Sequence, residues 1–148
     1  MIIEKSISLP AKIEKVWQKI EDLEGIIKCM PGVGDVEDLG GNKWHIVIKQ
    51  KVGFISATFD AKMEVTNWLP PTHLETATDA TAKMGLGKVF QNQSLDLVAV
   101  SANETLAKYR AEVILSGKIG TFGQRILGSK VDQLSNDFAK SFIDKLTG

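Results

Sequence analysis

From Ile55 to Thr66 the chain alternates without a break. Ile55, Ala57, Phe59, Ala61, Met63 and Val65 stand against Ser56, Thr58, Asp60, Lys62, Glu64 and Thr66. Side chains along a strand point to opposite faces with period two, so this segment predicts a strand with one dry face and one wet face. A second period governs the last part of the chain. Ile119, Phe122, Ile126, Leu127, Val131, Leu134, Phe138, Phe142, Ile143 and Leu146 recur at steps of three and four, which predicts one long helix from Lys118 to Leu146. Such a helix is roughly 40 Å long at 1.5 Å per residue. Its apolar stripe needs a partner, and the only large dry surface elsewhere in the chain is the inner face of a sheet.

The remaining segments fit that picture. Ile3, Lys5, Ile7 and Leu9 alternate with Ile2, Glu4, Ser6 and Ser8 as a half-buried strand, which Pro10 stops. Ile13, Val16, Trp17 and Ile20 then predict an amphipathic helix from Ala11 to Leu23. Gly25 is expected to break it, with a short second helix over 26–30 closed by Pro31-Gly32. Gly34 to Gly40 is short and acidic, an expected edge strand that turns at Gly40-Gly41-Asn42 into Trp44, Ile46 and Ile48. Gly53 marks the next turn, and Pro70-Pro71 ends the alternating strand. His73 to Ala82 is threonine-rich and weakly apolar, an expected edge strand. Gly85-Leu86-Gly87 is an expected flexible connection. Val89 to Val100 is a strand of uncertain phase: Gln91 and Gln93 fall on the face of Leu95 and Leu97 unless a bulge intervenes. Ala107, Tyr109, Ala111, Val113 and Leu115 alternate in the last strand. The fold class is therefore α+β: a curved antiparallel sheet of about seven strands wrapped around a long C-terminal helix, with two short helices after the first strand and one domain over 1–148.

Composition narrows the function classes. The 148 residues are 43% hydrophobic and 24% charged, with 18 basic and 18 acidic side chains and no formal net charge. That balance gives no electrostatic footprint for nucleic acid. A single cysteine, Cys29, excludes an internal disulfide framework and fits a reducing compartment, so a cytoplasmic location is expected. Neither a signal peptide nor a membrane-spanning run stands out.

Four local words make the picture more specific. Leu9-Pro10-Ala11-Lys12-Ile13-Glu14-Lys15-Val16-Trp17 resembles the first-helix entry of the START-like, or SRPBCC, helix-grip superfamily, which includes Bet v 1-like pollen allergens, polyketide cyclases and lipid-transfer domains. Within it, Cys29-Met30-Pro31-Gly32-Val33 is similar to a word of the carbon monoxide dehydrogenase CoxG-like family. Lys51 to Phe59 resembles that family's Lys-Val-Gly-Pro-Ile hairpin, with Phe54 in place of the proline. Gly117 to Ile126 resembles its last-helix entry, with Gly120 in place of an alanine. The resemblance implies a non-catalytic protein that binds a quinone or lipid-like molecule and serves a molybdenum-containing hydroxylase, in membrane recruitment or ligand handling. It implies no cofactor of its own. Many members carry a C-terminal extension implied to reach the membrane; here the sequence ends at Gly148, so peripheral contact without an anchor is the expectation. A cyclase-like or hydrolase-like enzyme and a ligand-free interaction module are the alternatives.

Candidate chemistry is sparse. His45 and His73 lie on different expected strands, and with one cysteine they give no metal-ligand spacing. Cys29 beside Met30 reads as a small buried hydrophobe rather than a nucleophile. Gly85-Leu86-Gly87 lacks the flanking strand and helix of a dinucleotide site. Pro31-Gly32-Val33 is either a rigid turn or a gate at a pocket mouth. Arg125 is expected in a surface ion pair, and Gly123 at a close approach of the long helix to its neighbours. Small residues alternating with large ones on the dry faces leave room beneath the helix. The expected ligand-binding set is Met30, Trp44, Ile46, Ala57, Phe59, Ala61, Met63, Gln91, Gln93, Tyr109, Ala111, Phe122, Leu127 and Phe138. Tyr109 and the two glutamines supply its polar groups. No catalytic residue and no metal ligand is assigned.

Overall fold

The computed structural model describes residues 1–122 and 124–148, with the backbone alone at 124. The expected close approach at Gly123 lies outside the described residues. The elements are β1 (Ile2–Leu9), α1 (Ile13–Glu21), α2 (Leu23–Ile27), β2 (Val33–Gly40), β3 (Lys43–Val52), β4 (Ile55–Leu69), β5 (His73–Ala82), β6 (Gly87–Ser101), β7 (Glu104–Ser116) and α3 (Gln124–Thr147). All seven strands form one antiparallel sheet in the order β1-β7-β6-β5-β4-β3-β2. α1, α2 and α3 cover its concave face, and this is the helix-grip, START-like fold.

The period-two pattern of β4 holds to Val65, where a register shift between Val65 and Asn67 adds a residue. The bulge reverses the phase, so Trp68 rather than Asn67 turns inward and pairs with Leu74. Trp68 then meets Trp17 of α1, ring centroids 4.9 Å apart. A second tie between α1 and the sheet is Thr105, fully buried, whose hydroxyl donates to the Ala11 carbonyl at 2.8 Å.

Three expectations are corrected and one open alternative is decided. β5 is the central strand of the sheet, not an edge; β1 and β2 are the edges. Gly25 lies inside α2, and the break falls at Asp22, whose carboxylate accepts from the Gly25 amide at 3.2 Å and caps α2. A side chain at 25 would collide with that carboxylate. The long helix begins at Gln124, because Gly117–Thr121 winds into a 3-10 turn and Phe122 is extended. Ile119 is still buried, but from that turn, whereas Ile126 is exposed. Finally, no bulge disturbs Gln91 and Gln93: β6 keeps register with β7 from Lys88 to Ala99, which sets both glutamines on the concave face with Leu95 and Leu97.

The apolar interior is divided. One core joins Leu9, Val16, Trp17, Ile20, Leu97, Phe142 and Leu146, with α1 and the end of α3 packed on β1, β6 and β7. The other joins Ile27, Ile46, Ala57, Phe59, Ala61, Ala80, Ala82 and Ile119 at the opposite end of the sheet.

Candidate functional site

Between those two cores runs a row of less buried side chains, of which Met63 packs on the second core and Leu95 on the first. Met63 of β4 faces Thr78 of β5, which faces Gln91 of β6; Val65, Thr76, Gln93 and Ala111 form the next row, and Leu95 and Tyr109 the one after. Met63, Thr76, Thr78, Gln91, Gln93, Leu95 and Tyr109 are all only half-buried although they point inward. The stripe of α3 shows the same profile: Leu127 near its start and Phe142 and Leu146 near its end are buried, while Val131, Leu134 and Phe138 between them are half-buried. Gly128 of α3 is half-buried, yet a methyl group built there would meet nothing within 4 Å. Inward positions that keep accessible surface on both sheet and helix mark a space between them.

That space has one polar chain. The Thr76 hydroxyl donates to Gln93 Oε1 at 2.9 Å, and Gln93 Nε2 donates to the Tyr109 hydroxyl at 2.8 Å. Its three members hold more protons than they can spend on one another. With the amide in this orientation, the Tyr109 O–H is left over; with the amide turned, the Thr76 O–H is left over. Either way one hydroxyl proton is free to be given to something else. Burial pushes the Tyr109 pKa up, against the smaller lowering effect of the Gln93 hydrogen bond, so the phenol is neutral and a donor at physiological pH. On the β1 side, Lys5 reaches across to Asp132 of α3 at 2.6 Å.

The other expected site residues fall around this row. Trp44, Ile46, Ala57, Phe59 and Ala61 belong to or pack on the second core. Ala61 and Ala111 have 0% of their surface accessible, so they are close-packed rather than beside open space. Phe122 stands outside α3 at the β3–β4 turn, edge-on to Phe54 at 6.0 Å between centroids. Met30 lies in the turn after α2. There Lys49 donates its amide to the Gly32 carbonyl at 2.9 Å and the Gln50 side chain donates to the Pro31 carbonyl, stapling the turn to β3. Gly32 has φ of 83°, and a side chain there would run into the Lys49 carbonyl. That is the rigid-turn alternative for Pro31-Gly32-Val33. Thr76 and Thr78 escaped the sequence, although Leu74, Thr76, Thr78, Ala80 and Ala82 do repeat with period two.

Groups with other chemistry are accounted for elsewhere. Cys29 is buried and its pKa is raised, chiefly by burial, which suits an inert thiol. His73 sits on the convex face between Asp96 at 2.6 Å and Glu75 at 3.2 Å. His45 pairs with Asp60 on that face at 3.3 Å. Among the described residues no three His, Cys, Asp or Glu side chains gather as a metal site, and Arg125 forms no ion pair. Two shallow depressions on the convex face are lined by polar and charged side chains such as Glu4, Asp96, Lys108, Arg110 and Glu112. No described helix is long and apolar enough to cross a membrane.

Comparison with known proteins agrees with this fold. A conserved protein from Geobacillus kaustophilus is 27% identical and superposes with a TM-score of 0.92, over 99% of this chain and 95% of that one. A START superfamily protein from Mycobacterium smegmatis shares the fold at 13% identity and a TM-score of 0.73, over 99% and 97% of the two chains. The Zhui aromatase/cyclase from Streptomyces sp. R1128 does so at 14% and 0.72, over 99% and 93%. No curated protein matches in sequence. The family model for CoxG, a subunit of carbon monoxide dehydrogenase, matches residues 6–147, and the chain belongs to that family.

Proposed function

We propose that this protein shelters a lipophilic molecule bearing a carbonyl or quinone oxygen, held between α3 and the centre of the sheet, and does not transform it. The observation that carries this reading is the half-open row from Met63 to Tyr109, which faces an apolar helix stripe and holds one unspent hydroxyl proton. An apolar slot with a few convergent polar groups is the usual form of a small-molecule site. Met63, Leu127 and Phe138 supply apolar walls, Gln91 a further amide, and Tyr109 or Thr76 the donor to the ligand's oxygen. Trp44, Ile46, Ala57, Phe59, Ala61 and the Met30 turn close one end. Family membership supports service to a molybdenum-containing hydroxylase, with the ligand a quinone or a lipid-like molecule.

A cyclase-like enzyme has one observation in its favour, the Tyr109 hydroxyl inside the concavity. A phenol whose pKa is raised holds its proton more tightly and is a weaker general acid near neutral pH. It serves better as a neutral hydrogen-bond donor. The test is titration with menadione, followed by the fluorescence of Trp17, Trp44 and Trp68. Saturable quenching is expected. Tyr109→Phe combined with Thr76→Val removes both candidate donors and should weaken binding roughly two- to tenfold, the worth of one net hydrogen bond. No saturable binding, or equal affinity in the double variant, would sink the proposal.

A further inference from the structure

Followed outward from the half-open row, the concave face ends differently on its two sides. Towards β3, Trp44 stands beside Met63 and packs on the second core. Further along β4, Val65 is buried and Trp68 meets Trp17 of α1. That side is walled by large apolar groups, and the two cores shut the space at either end of the sheet. Towards β1 there is no such wall. The row of Gln93 and Ala111 ends on Ile3, which is only half-buried, and the row of Leu95 and Tyr109 ends on Lys5, which is exposed.

Facing β1 is one flank of α3. Asp132 lies on it, since its carboxylate meets the Lys5 ammonium at 2.6 Å. Residues three, four and seven apart share a helical flank, so Gly128, Ser135 and Ala139 stand on that side as well. All three are small and half-buried, and a methyl group on Gly128 would meet nothing within 4 Å. Nothing large on this flank fills the gap between α3 and β1. Among the described residues the Lys5–Asp132 pair is the only ion pair between α3 and the sheet. Directly across from Lys5 on β7 is Tyr109, one end of the polar chain. The pair therefore spans the open side of an apolar space, next to a group that would hold the ligand.

We infer that the gap between β1 and the middle of α3 is the doorway of the concavity, and that the Lys5–Asp132 pair is its latch. This rests on the sheltering role proposed above and adds how the ligand enters and leaves. The two side chains are 42% and 61% exposed, so the pair is weak and is screened by salt. That weakness suits a latch. A buried pair would hold the helix shut, whereas an exposed one opens often enough for exchange and still slows it. The opening needs only the middle of α3 to move from β1, because Leu127 near its start and Phe142 and Leu146 near its end stay buried.

Stopped-flow tryptophan quenching of the full chain by menadione, which carries no charge, gives the rates of uptake and release. Lys5→Gln and Asp132→Asn should each speed both rates by roughly two- to fivefold, the worth of an exposed ion pair, and leave Kd unchanged. Raising the salt concentration should speed exchange in the parent and not in these variants. Exchanging the charges, Lys5→Asp with Asp132→Lys, should return both rates towards those of the parent. Gly128→Leu, which sets a side chain in the doorway, should slow both. Lys28→Gln, which breaks a comparably exposed pair on α2, should change neither. A change in Kd carried by one rate alone would make Lys5 or Asp132 a ligand contact and overturn the latch. Rates indifferent to the pair, to salt and to Gly128→Leu would also overturn it, and would leave the sheltering role standing. No saturable binding by the parent would overturn both.

Discussion

At the scale of single residues, His73 is the group whose charge state follows from its neighbours. Its pKa is raised, chiefly by the hydrogen bond to Asp96; desolvation, the next largest effect, opposes the rise, and Glu75 adds to it. A folded pKa above the unfolded value means that the native state holds the proton more tightly. The resulting stabilisation is complete below the unfolded histidine's value of about 6.5 and is lost as pH rises through the folded pKa. Replacing His73 by Gln should therefore lower the urea midpoint near pH 5.5 and have much less effect near pH 8.5. An equal loss at both pH values would show that the imidazole acts through packing and not through its charge. Cys29 is the opposite case: burial raises its pKa more than the charge of Lys145 lowers it, and the thiol contributes as a small apolar side chain.

At the scale of elements, the apolar stripe of α3 is buried near the two ends of the helix and half-buried along its middle. Gly128 lies on that middle section. Glycine in a helix interior costs about 1 kcal/mol relative to alanine, and here a methyl group meets no neighbour within 4 Å. Gly128→Ala should thus raise stability by ~0.5–1 kcal/mol in chemical denaturation. A loss instead would mean that the space beside α3 is filled. The elements themselves were largely legible in the sequence, because strict alternation in β4 and β7 and the three-four stripe of α3 each admit one secondary structure. Position within the sheet was less legible. β5 read as an edge because its inward residues are Thr76, Thr78, Ala80 and Ala82, too small and polar to signal burial, although small inward residues are what a concave centre facing a space requires. The start of α3 was misplaced because Ile119 continues the apolar repeat while the glycines at 117 and 120 allow a tighter turn. Gln91, Gln93 and Tyr109 were legible as polar groups on a dry face. Thr76, which completes their chain, was not, because a threonine signals neither a core nor a site.

At the scale of the whole molecule, the arrangement is two closed apolar cores with a polar, half-open row between them, and this division makes a sharp pair of substitutions available. Ala61 faces Ile46 on one side and Ala80 on the other and has no accessible surface. Ala61→Phe should force its neighbours apart and cost ~1–3 kcal/mol or more, seen as a lower melting temperature. Thr78 lies two residues before Ala80 on the same face, between Met63 and Gln91, and is only half-buried. Thr78→Leu adds apolar volume to the space itself, where burial at ~25 cal/mol per Å² offsets the loss of a hydroxyl for which no partner is seen among the described residues. Its melting temperature should stay close to that of the parent while uptake of a lipophilic probe is lost. The two substitutions lie one strand apart on neighbouring rows, so a uniform core predicts that both destabilise, and a uniformly open grip predicts that neither does. Only a sheet that is closed at Ala61 and open at Thr78 gives a stability loss without a direct block in one variant and a block without a stability loss in the other.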